Sequence, residues 1–377
     1  MPPLAVLEAH ESEASLGLWS VPECIINPLL PPRPPMNSRN SEGDFIQLKD
    51  GSILFAYSHF TGALHYDHEP AFVAGRMSYD LGRTWSGEDH TVLKNEGGMN
   101  IMSVSLLRTL DGKLAIFYSR KNSVEDCRIH MRISEDEGKS WGPARLCIPE
   151  IGYYPVNNDR VIRLQSGRLM IPLSRHDSCL DPEGNPAVSD LAFASSVYSD
   201  DDGVTWKHSV NVLQLSGPTK SGLQEPGIVE LKSGRLMMWM RTDQGCQYRS
   251  YSDDGGQSWS QPEPSNIISP LSPASIKRIP ATGDLLLAWN DHRDIDDYRR
   301  GKRTPLCLAV SDDEGESWQN VKILEDKNVD GYYCYTAIEF FEDRILLAYC
   351  AGDQGDNHGG LDQTNITRLN LDWLYAK

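Results

Sequence analysis

Short apolar runs alternate with small polar clusters along almost the whole chain, and the clusters recur in two fixed forms. The first is a turn followed by a β-rich run. It occurs six times: "DGSILFAYSHF" (50–60), "DGKLAIFYSRK" (111–121), "SGRLMIPLSRH" (166–176), "SGRLMMWMRTD" (233–243), "TGDLLLAWNDH" (282–292) and "DRILLAYCAG" (343–352). Another apolar run precedes each turn: "DFIQL", "SVSLL", "RVIRL", "GIVEL", "SIKRI" and "TAIEF". Two short runs around a tight turn predict an antiparallel strand pair. Helical periodicity is nearly absent.

The second form is Ser-x-Asp-x-Gly-x-x-Trp, found as "SYDLGRTW" (78–85), "SEDEGKSW" (134–141), "SDDDGVTW" (199–206), "SDDGGQSW" (252–259) and "SDDEGESW" (311–318). Successive octets start 56, 65, 53 and 59 residues apart. An Asp side chain can accept from backbone N–H groups ahead of it, Gly supplies a positive φ, and Trp packs the turn onto a sheet. The five octet aspartates therefore read as turn formers, not as catalytic pairs.

Each unit then reads strand, tight turn, strand, longer loop, strand, octet turn, strand. Four antiparallel strands at this period are the mark of a propeller blade. Six hairpins and five octets predict an all-β, six-bladed β-propeller of four-stranded antiparallel blades. The last blade has strands near 335–341, 344–350 and 364–370. Its fourth strand is expected from the N-terminal segment around 17–26, so that this segment closes the blade and protects the sheet edges. Residues 1–37 are read as that closing strand plus a Pro-rich strap (27–37), and 38–377 as the propeller, together one catalytic domain.

Composition narrows the partners. The 377 residues carry a net charge of −17, whereas a nucleic-acid binder needs a basic face. No stretch approaches a membrane span. The start "MPPLAVLEAHESEAS" lacks the basic region of a signal peptide, and the eight scattered cysteines follow no zinc or disulfide-scaffold spacing. A cytoplasmic protein with reduced thiols is expected, and a trimmed export signal would read the same way. The charged loop "DHRDIDD" (291–297) is not read as a cation site, and no metal or cofactor is expected.

The first two strands of each blade are antiparallel, so the start of one and the end of the other share an edge. In a propeller those edges meet at one mouth of the central axis. Counting nine residues back from the hairpin glycine (or Arg344) brings Glu42, Ser103, Asn158, Glu225, Ala274 and Tyr335 to that mouth. Counting seven or eight forward brings Ser58 and His59, Ser119 and Arg120, Ser174 and Arg175, Arg241 and Thr242, Asn290 and Asp291. Loops entering the third strands add His65, Asp67 and His68 in blade one, and Arg299, Arg300 and Arg303 in blade five. Charged groups gathered at one mouth are costly to bury without use. A guanidinium fork binds carboxylates in a bidentate way, so an anionic ligand fits the arginines.

With these repeats the chain resembles the sialidase (neuraminidase) superfamily, over about residues 38 to 370, the octets being that superfamily's Asp boxes. "QEPGIVELKSGRLMMWMR" closely resembles the segment carrying the glutamate that activates the nucleophile and an arginine of the carboxylate-binding triad, which implies those roles for Glu225 and Arg241. "RTPLCLAVSDDEGESW" is similar to the stretch with a second triad arginine, implying Arg303. "YCYTAIEF" looks like the region of the nucleophile, implying Tyr335. Asp67 lies in the loop where the family keeps its acid/base Asp, with His65 and His68 as rivals. Two departures fall on one subsite. The family's Arg-Ile-Pro slot reads "SRNSEGDF" here, with Glu42 nearest the position and Arg39 three residues upstream. Cys350 stands where a glutamate commonly orients the first arginine.

The resemblance implies a sialidase-like exo-glycoside hydrolase releasing a terminal acidic sugar, a sialic acid or a related ulosonic or uronic acid. It would act with retention: Glu225 takes the proton of Tyr335, whose hydroxyl is otherwise a weak nucleophile. Asp67, its pKa raised, protonates the leaving oxygen, while Arg241, Arg303 and Arg39 hold the carboxylate. Glu42, Arg120, Arg175 and His59 complete the expected substrate-binding set. Two alternatives stand beside it: another exo-glycosidase or polysaccharide lyase using Glu42, Glu225 and Asp67 on uronides, and a carbohydrate-binding propeller without catalysis.

Overall fold

The structure is a computed structural model that describes residues 25–30, 37–326, 330–355 and 360–376. Six four-stranded antiparallel sheets follow one another along the chain. Blade four is typical: Gln224–Glu230, Leu236–Arg241, Cys246–Ser252 and Glu263–Ile268 pair in sequence order. First strands of blades one, two, four, five and six touch those of neighbouring blades, so they line the axis. Polar links cross it: Asn158 Nδ2 donates to the carbonyls of Gly43 (2.7 Å) and Tyr335 (3.1 Å).

The sixth blade pairs Gly331–Phe341, Arg344–Asp353 and Thr364–Asn370, and its outer strand is Ile25–Leu30, with Ile25 opposite Arg368 and Leu30 opposite Thr364. Of the segment 17–26 expected there, Ile25 and Ile26 are described, and both belong to this strand. Residues 27–30, read as the start of a strap, belong to it as well. Pro28 is tolerated because an outermost strand needs fewer of its N–H groups, and the register is irregular between Pro28 and Leu30. Residues 17–24 and 31–36 lie outside the described residues.

The octets are turns, as their residue types predict. In each, the Ser Oγ donates to the Asp carboxylate two residues on, and the same Ser oxygen accepts from the Gly N–H; the Asp accepts from the backbone N–H four residues on. The five octet glycines have φ between 80° and 91°, where a Cβ would be strained.

The core lies between blades rather than within them. Phe45 and Phe55 of blade one pack with Leu346 and Ala348 of blade six, and Leu54 and Ala56 pack with Leu106 and Ile116 of blade two. Removing a fully buried ring such as Phe55 costs about 3–5 kcal/mol. This packing holds the first strands rigidly, and with them the residues at their ends.

Candidate active site

Four first strands carry a bulge near their start, and the residue on each bulge is left-handed without being glycine: Glu42 (φ 56°), Ser103 (φ 59°), Glu225 (φ 47°) and Tyr335 (φ 56°). A bulge re-aims one side chain out of the strand's alternation, and the left-handed region costs a non-glycine residue about 1–2 kcal/mol. All four residues line one cavity of about 360 Å³ at the mouth of the axis, together with Asp67, His68, Lys121, Arg241 and Arg303.

At the centre of the cavity wall the Tyr335 hydroxyl donates to Glu225 Oε1 at 2.9 Å, and Arg241 Nη1 donates to Glu225 Oε2 at 2.6 Å. The acid and the base at one tip of this strand pair thus act together: the guanidinium fixes the carboxylate that receives the tyrosine. Burial raises the Tyr335 pKa and the Glu225 charge raises it further, against Arg303 and Arg241. Burial alone would raise Glu225 too, but Arg241 and Arg303 outweigh it and hold the carboxyl below its ordinary value. The resting pair is a neutral phenol on a carboxylate.

Arg303 lies 4.5 Å above the ring of Tyr332 and 5.6 Å from that of Tyr335. It is 7% exposed, and its buried Nη1 has no hydrogen-bond partner among the described residues. No carboxylate among them forms an ion pair with it. An orphaned buried donor of this kind suits an anion arriving from outside.

Arg39 is placed differently from a substrate arginine. It is 1% exposed and does not line the cavity. Its Nη1 donates to Asp67 (2.5 Å), its Nη2 to Glu42 (2.6 Å) and its Nε to Ser41 (2.8 Å). The expected raised pKa of Asp67 is therefore overturned: burial would raise it, but Arg39 and Lys121 hold it well below the carboxylate range. Glu42 shifts the other way. Burial raises it, Asp67 and Glu225 add to the effect, and Arg39 offsets them only in part. Of the two carboxyls around Arg39, Glu42 is the one shifted upward.

Besides Arg39, three expected binding residues are not in the cavity, for one reason. Side chains alternate along a strand, and the seventh position after the hairpin glycine faces the mouth while the eighth faces away. Ser119 and Lys121 line the cavity, so Arg120 between them does not. Arg175 lies over the Phe193 ring at 4.9 Å and 3.5 Å from Asp177. His59 sits 3.3 Å from Asp89 and against Phe72. Of the other loop residues considered, His68 lines the cavity, the His65 carbonyl accepts from Arg39, and Arg299 and Arg300 pair with Asp326 and Asp297.

Lys121, His176, Tyr153 and Tyr332 were missed and also line the cavity. Lys121 and His176 follow Ser119 and Ser174 by two, so the alternation that removes Arg120 finds them. Tyr153 lies in an irregular loop with no repeat to count from. Lys121 Nζ donates to the Asp67 carbonyl at 2.8 Å and sits 5.4 Å over the Tyr153 ring.

Residues 82–345 match the model of the BNR repeat-like domain. The chain belongs to the BNR repeat-like family. Within it, 175 residues are 31% identical to the anhydrosialidase of Macrobdella decora, a match covering 43% of this chain but only 20% of that protein. A protein of unknown function from Dyadobacter fermentans has a similar fold, with TM-score 0.68 at 18% identity over 91% of this chain and 97% of that one. So has the leech intramolecular trans-sialidase bound to 2,7-anhydro-Neu5Ac, with TM-score 0.68 at 16% identity over 90% and 69%. The NanB sialidase from Streptococcus pneumoniae also superposes, with TM-score 0.68 at 15% identity over 92% and 71%. The fold is that of the sialidase-like glycoside hydrolases.

Proposed function

We propose that this BNR repeat-like protein is a retaining exo-glycoside hydrolase that releases a terminal acidic sugar. The observation that carries the proposal is the Tyr335–Glu225–Arg241 relay at the cavity wall. Glu225 draws the proton from Tyr335 as the phenol oxygen attacks the anomeric carbon. A phenol is a neutral nucleophile until that moment, so it approaches an anionic sugar without repulsion. Arg303, with its orphaned Nη1, takes the sugar's carboxylate, and Arg241 shares that role beside Glu225. The carboxyl pair around Arg39 serves the leaving group. Glu42, shifted upward by burial, is the acid, and Asp67 holds Arg39 in place.

The experiment is a screen of aryl glycosides of sialic, other ulosonic and uronic acids. Hydrolysis of an acidic aryl glycoside that disappears in Tyr335→Phe, with the fold intact, supports the proposal. Turnover that survives in Tyr335→Phe ends it.

Glu42 in the mouth, with Arg39 withdrawn beneath it, favours a second reading: uronide cleavage by the carboxyls, with Tyr335 as a proton carrier. An unsaturated, ultraviolet-absorbing product from a uronide would select that reading.

A further inference from the structure

Two cysteines stand directly opposite each other in blade six. Cys334 in Gly331–Phe341 and Cys350 in Arg344–Asp353 are register partners, so their side chains leave the sheet on the same face. Directly opposed Cβ atoms lie about 4.5–5.5 Å apart, and a disulfide needs about 3.5–4.5 Å. The adjustment is small, and it falls beside a bulge, where the register shifts between Cys334 and Ala337. The charges nearby differ for the two: against burial, Cys350 and Arg303 lower the Cys334 pKa, while burial and Cys334 raise that of Cys350.

We infer that Cys334 and Cys350, buried behind the cavity and next in sequence to Tyr335, are a peroxide-sensitive dithiol that closes to a reversible disulfide. The surroundings differ from those of the other thiols. Burial pushes Cys147 and Cys307 up, Cys307 to about 12, and Cys127 to about 11. Burial acts on Cys334 as well, but the Cys350 thiol and Arg303 overcome it and bring Cys334 below its ordinary value. A thiolate beside a guanidinium is the reactive form.

The chemistry balances with hydrogen peroxide as oxidant. The Cys334 thiolate attacks one peroxide oxygen; an S–O bond forms, the O–O bond breaks and hydroxide leaves, to be protonated to water. The Cys350 sulfur then attacks the sulfenic sulfur. The S–S bond forms, the S–O bond breaks, and the Cys350 proton leaves with that oxygen as a second water. The two sulfurs supply both electrons. Because Cys334 directly precedes Tyr335, the new bond stiffens the segment that presents the proposed nucleophile.

The test uses the full chain treated with limiting hydrogen peroxide, quenched with catalase, denatured, alkylated and digested without reductant. The expected result is a peptide pair linked through Cys334 and Cys350, lost on dithiothreitol treatment and formed before Cys127, Cys147 or Cys307 oxidise. Finding Cys334 and Cys350 still alkylatable once the exposed Cys179 is oxidised, or carried singly to sulfinic acids, would overturn the inference. The wild-type map stands alone if Cys350→Ala does not fold. If that variant folds, dimedone should trap a sulfenic acid on Cys334, and its absence counts equally against the inference. None of these readouts depends on glycosidase activity.

Discussion

At one end of the propeller axis a cavity of about 360 Å³ gathers Glu42, Glu225, Arg303 and Tyr335. At the other, a cavity of about 350 Å³ gathers Asp159, Lys277, Arg278 and Glu339 from the opposite ends of the same strands or their neighbours. Volume and residue type barely separate the two. The partners do. At the far end Lys277 Nζ donates to Asp159 (3.0 Å), Glu339 (2.9 Å) and the Ile338 carbonyl (2.5 Å), and Arg278 makes a bidentate pair with Glu314 (2.8 and 2.9 Å). Arg160 is the exception there, held by Ser275, the Ala274 carbonyl and the Trp239 ring instead of an acid. At the near end a cation lacks an acid partner among the described residues, a hydroxyl sits on a carboxylate, and four non-glycine residues are left-handed, against one, Asp159 (φ 53°), in the far cavity. Strain and incomplete pairing that persist in a rigid frame suit a site that waits for a ligand. Acid partners on both Lys277 and Arg278 suit a structural plug, although the buried Arg160 Nε has no partner among the described residues.

The comparison is broken most directly by exchanging what each end loses. Tyr335→Phe should cut kcat on an acidic aryl glycoside by about 10³-fold or more, the scale of removing a covalent nucleophile that acts as a unit with its base, while thermal unfolding stays near wild type. Lys277→Met should do the reverse. It strands Asp159 and Glu339, at a cost of about 3 kcal/mol, the low end for a broken buried pair because the lysine is partly exposed. Its kcat per folded molecule should be unchanged. A Lys277→Met protein of normal stability, or one with impaired chemistry at full folding, would erase the distinction between the ends.

Arg303→Met tests the near end alone. Losing a charge-assisted hydrogen bond costs about 1.5–3 kcal/mol, so KM for an acidic glycoside should rise roughly 10- to 100-fold. A neutral glycoside of the same aglycone, if accepted at all, should not distinguish the variant from wild type. Glu42→Gln should separate leaving groups: hydrolysis of an unactivated glycoside falls by about 10²-fold or more, the scale of one general acid. A nitrophenyl glycoside, whose leaving group needs no proton, should be nearly unaffected.

The fold was legible because each octet carries its own turn chemistry, so Asp136 or Gly203 means the same thing wherever the chain places it. Glu42, Ser103, Glu225 and Tyr335 were legible for a related reason: a fixed count from a hairpin turn holds in every blade. The count failed at Arg120, Arg175 and His59 because a one-residue step along a strand reverses the face, and the spacing left two candidates per blade. The protonation of Asp67 was not legible at all. It depends on Arg39 meeting Asp67 from 28 positions away, across the hairpin of blade one, and no local pattern records that meeting. The outer strand of blade six, Ile25–Leu30, runs four residues past the end of the expected segment 17–26, since a strand with Pro28 has little patterning to fix its register.

The smallest expected effect is on pH dependence, and it separates the ends by sign. At the near end, burial would raise Glu225, but Arg241 and Arg303 leave its carboxyl depressed. Its ionised pairing is therefore present above the ordinary glutamate value of ~4.3 and is lost as pH falls through the depressed folded value. At the far end, burial would lower Lys277, but Asp159, Glu339 and Asp44 raise it. Its pairing is fully present below the ordinary lysine value of ~10.4 and is lost only as pH rises through the raised folded value. The acid limb of kcat/KM should therefore lie below the ordinary carboxylate range in wild type. It should move upward in Arg303→Met, which removes one of the charges depressing Glu225, and stay in place in Lys277→Met. The melting temperature on the alkaline side should respond to Lys277→Met and not to Arg303→Met. If both variants move the acid limb together, the two ends share one electrostatic network, and the separation drawn from their hydrogen bonds does not hold.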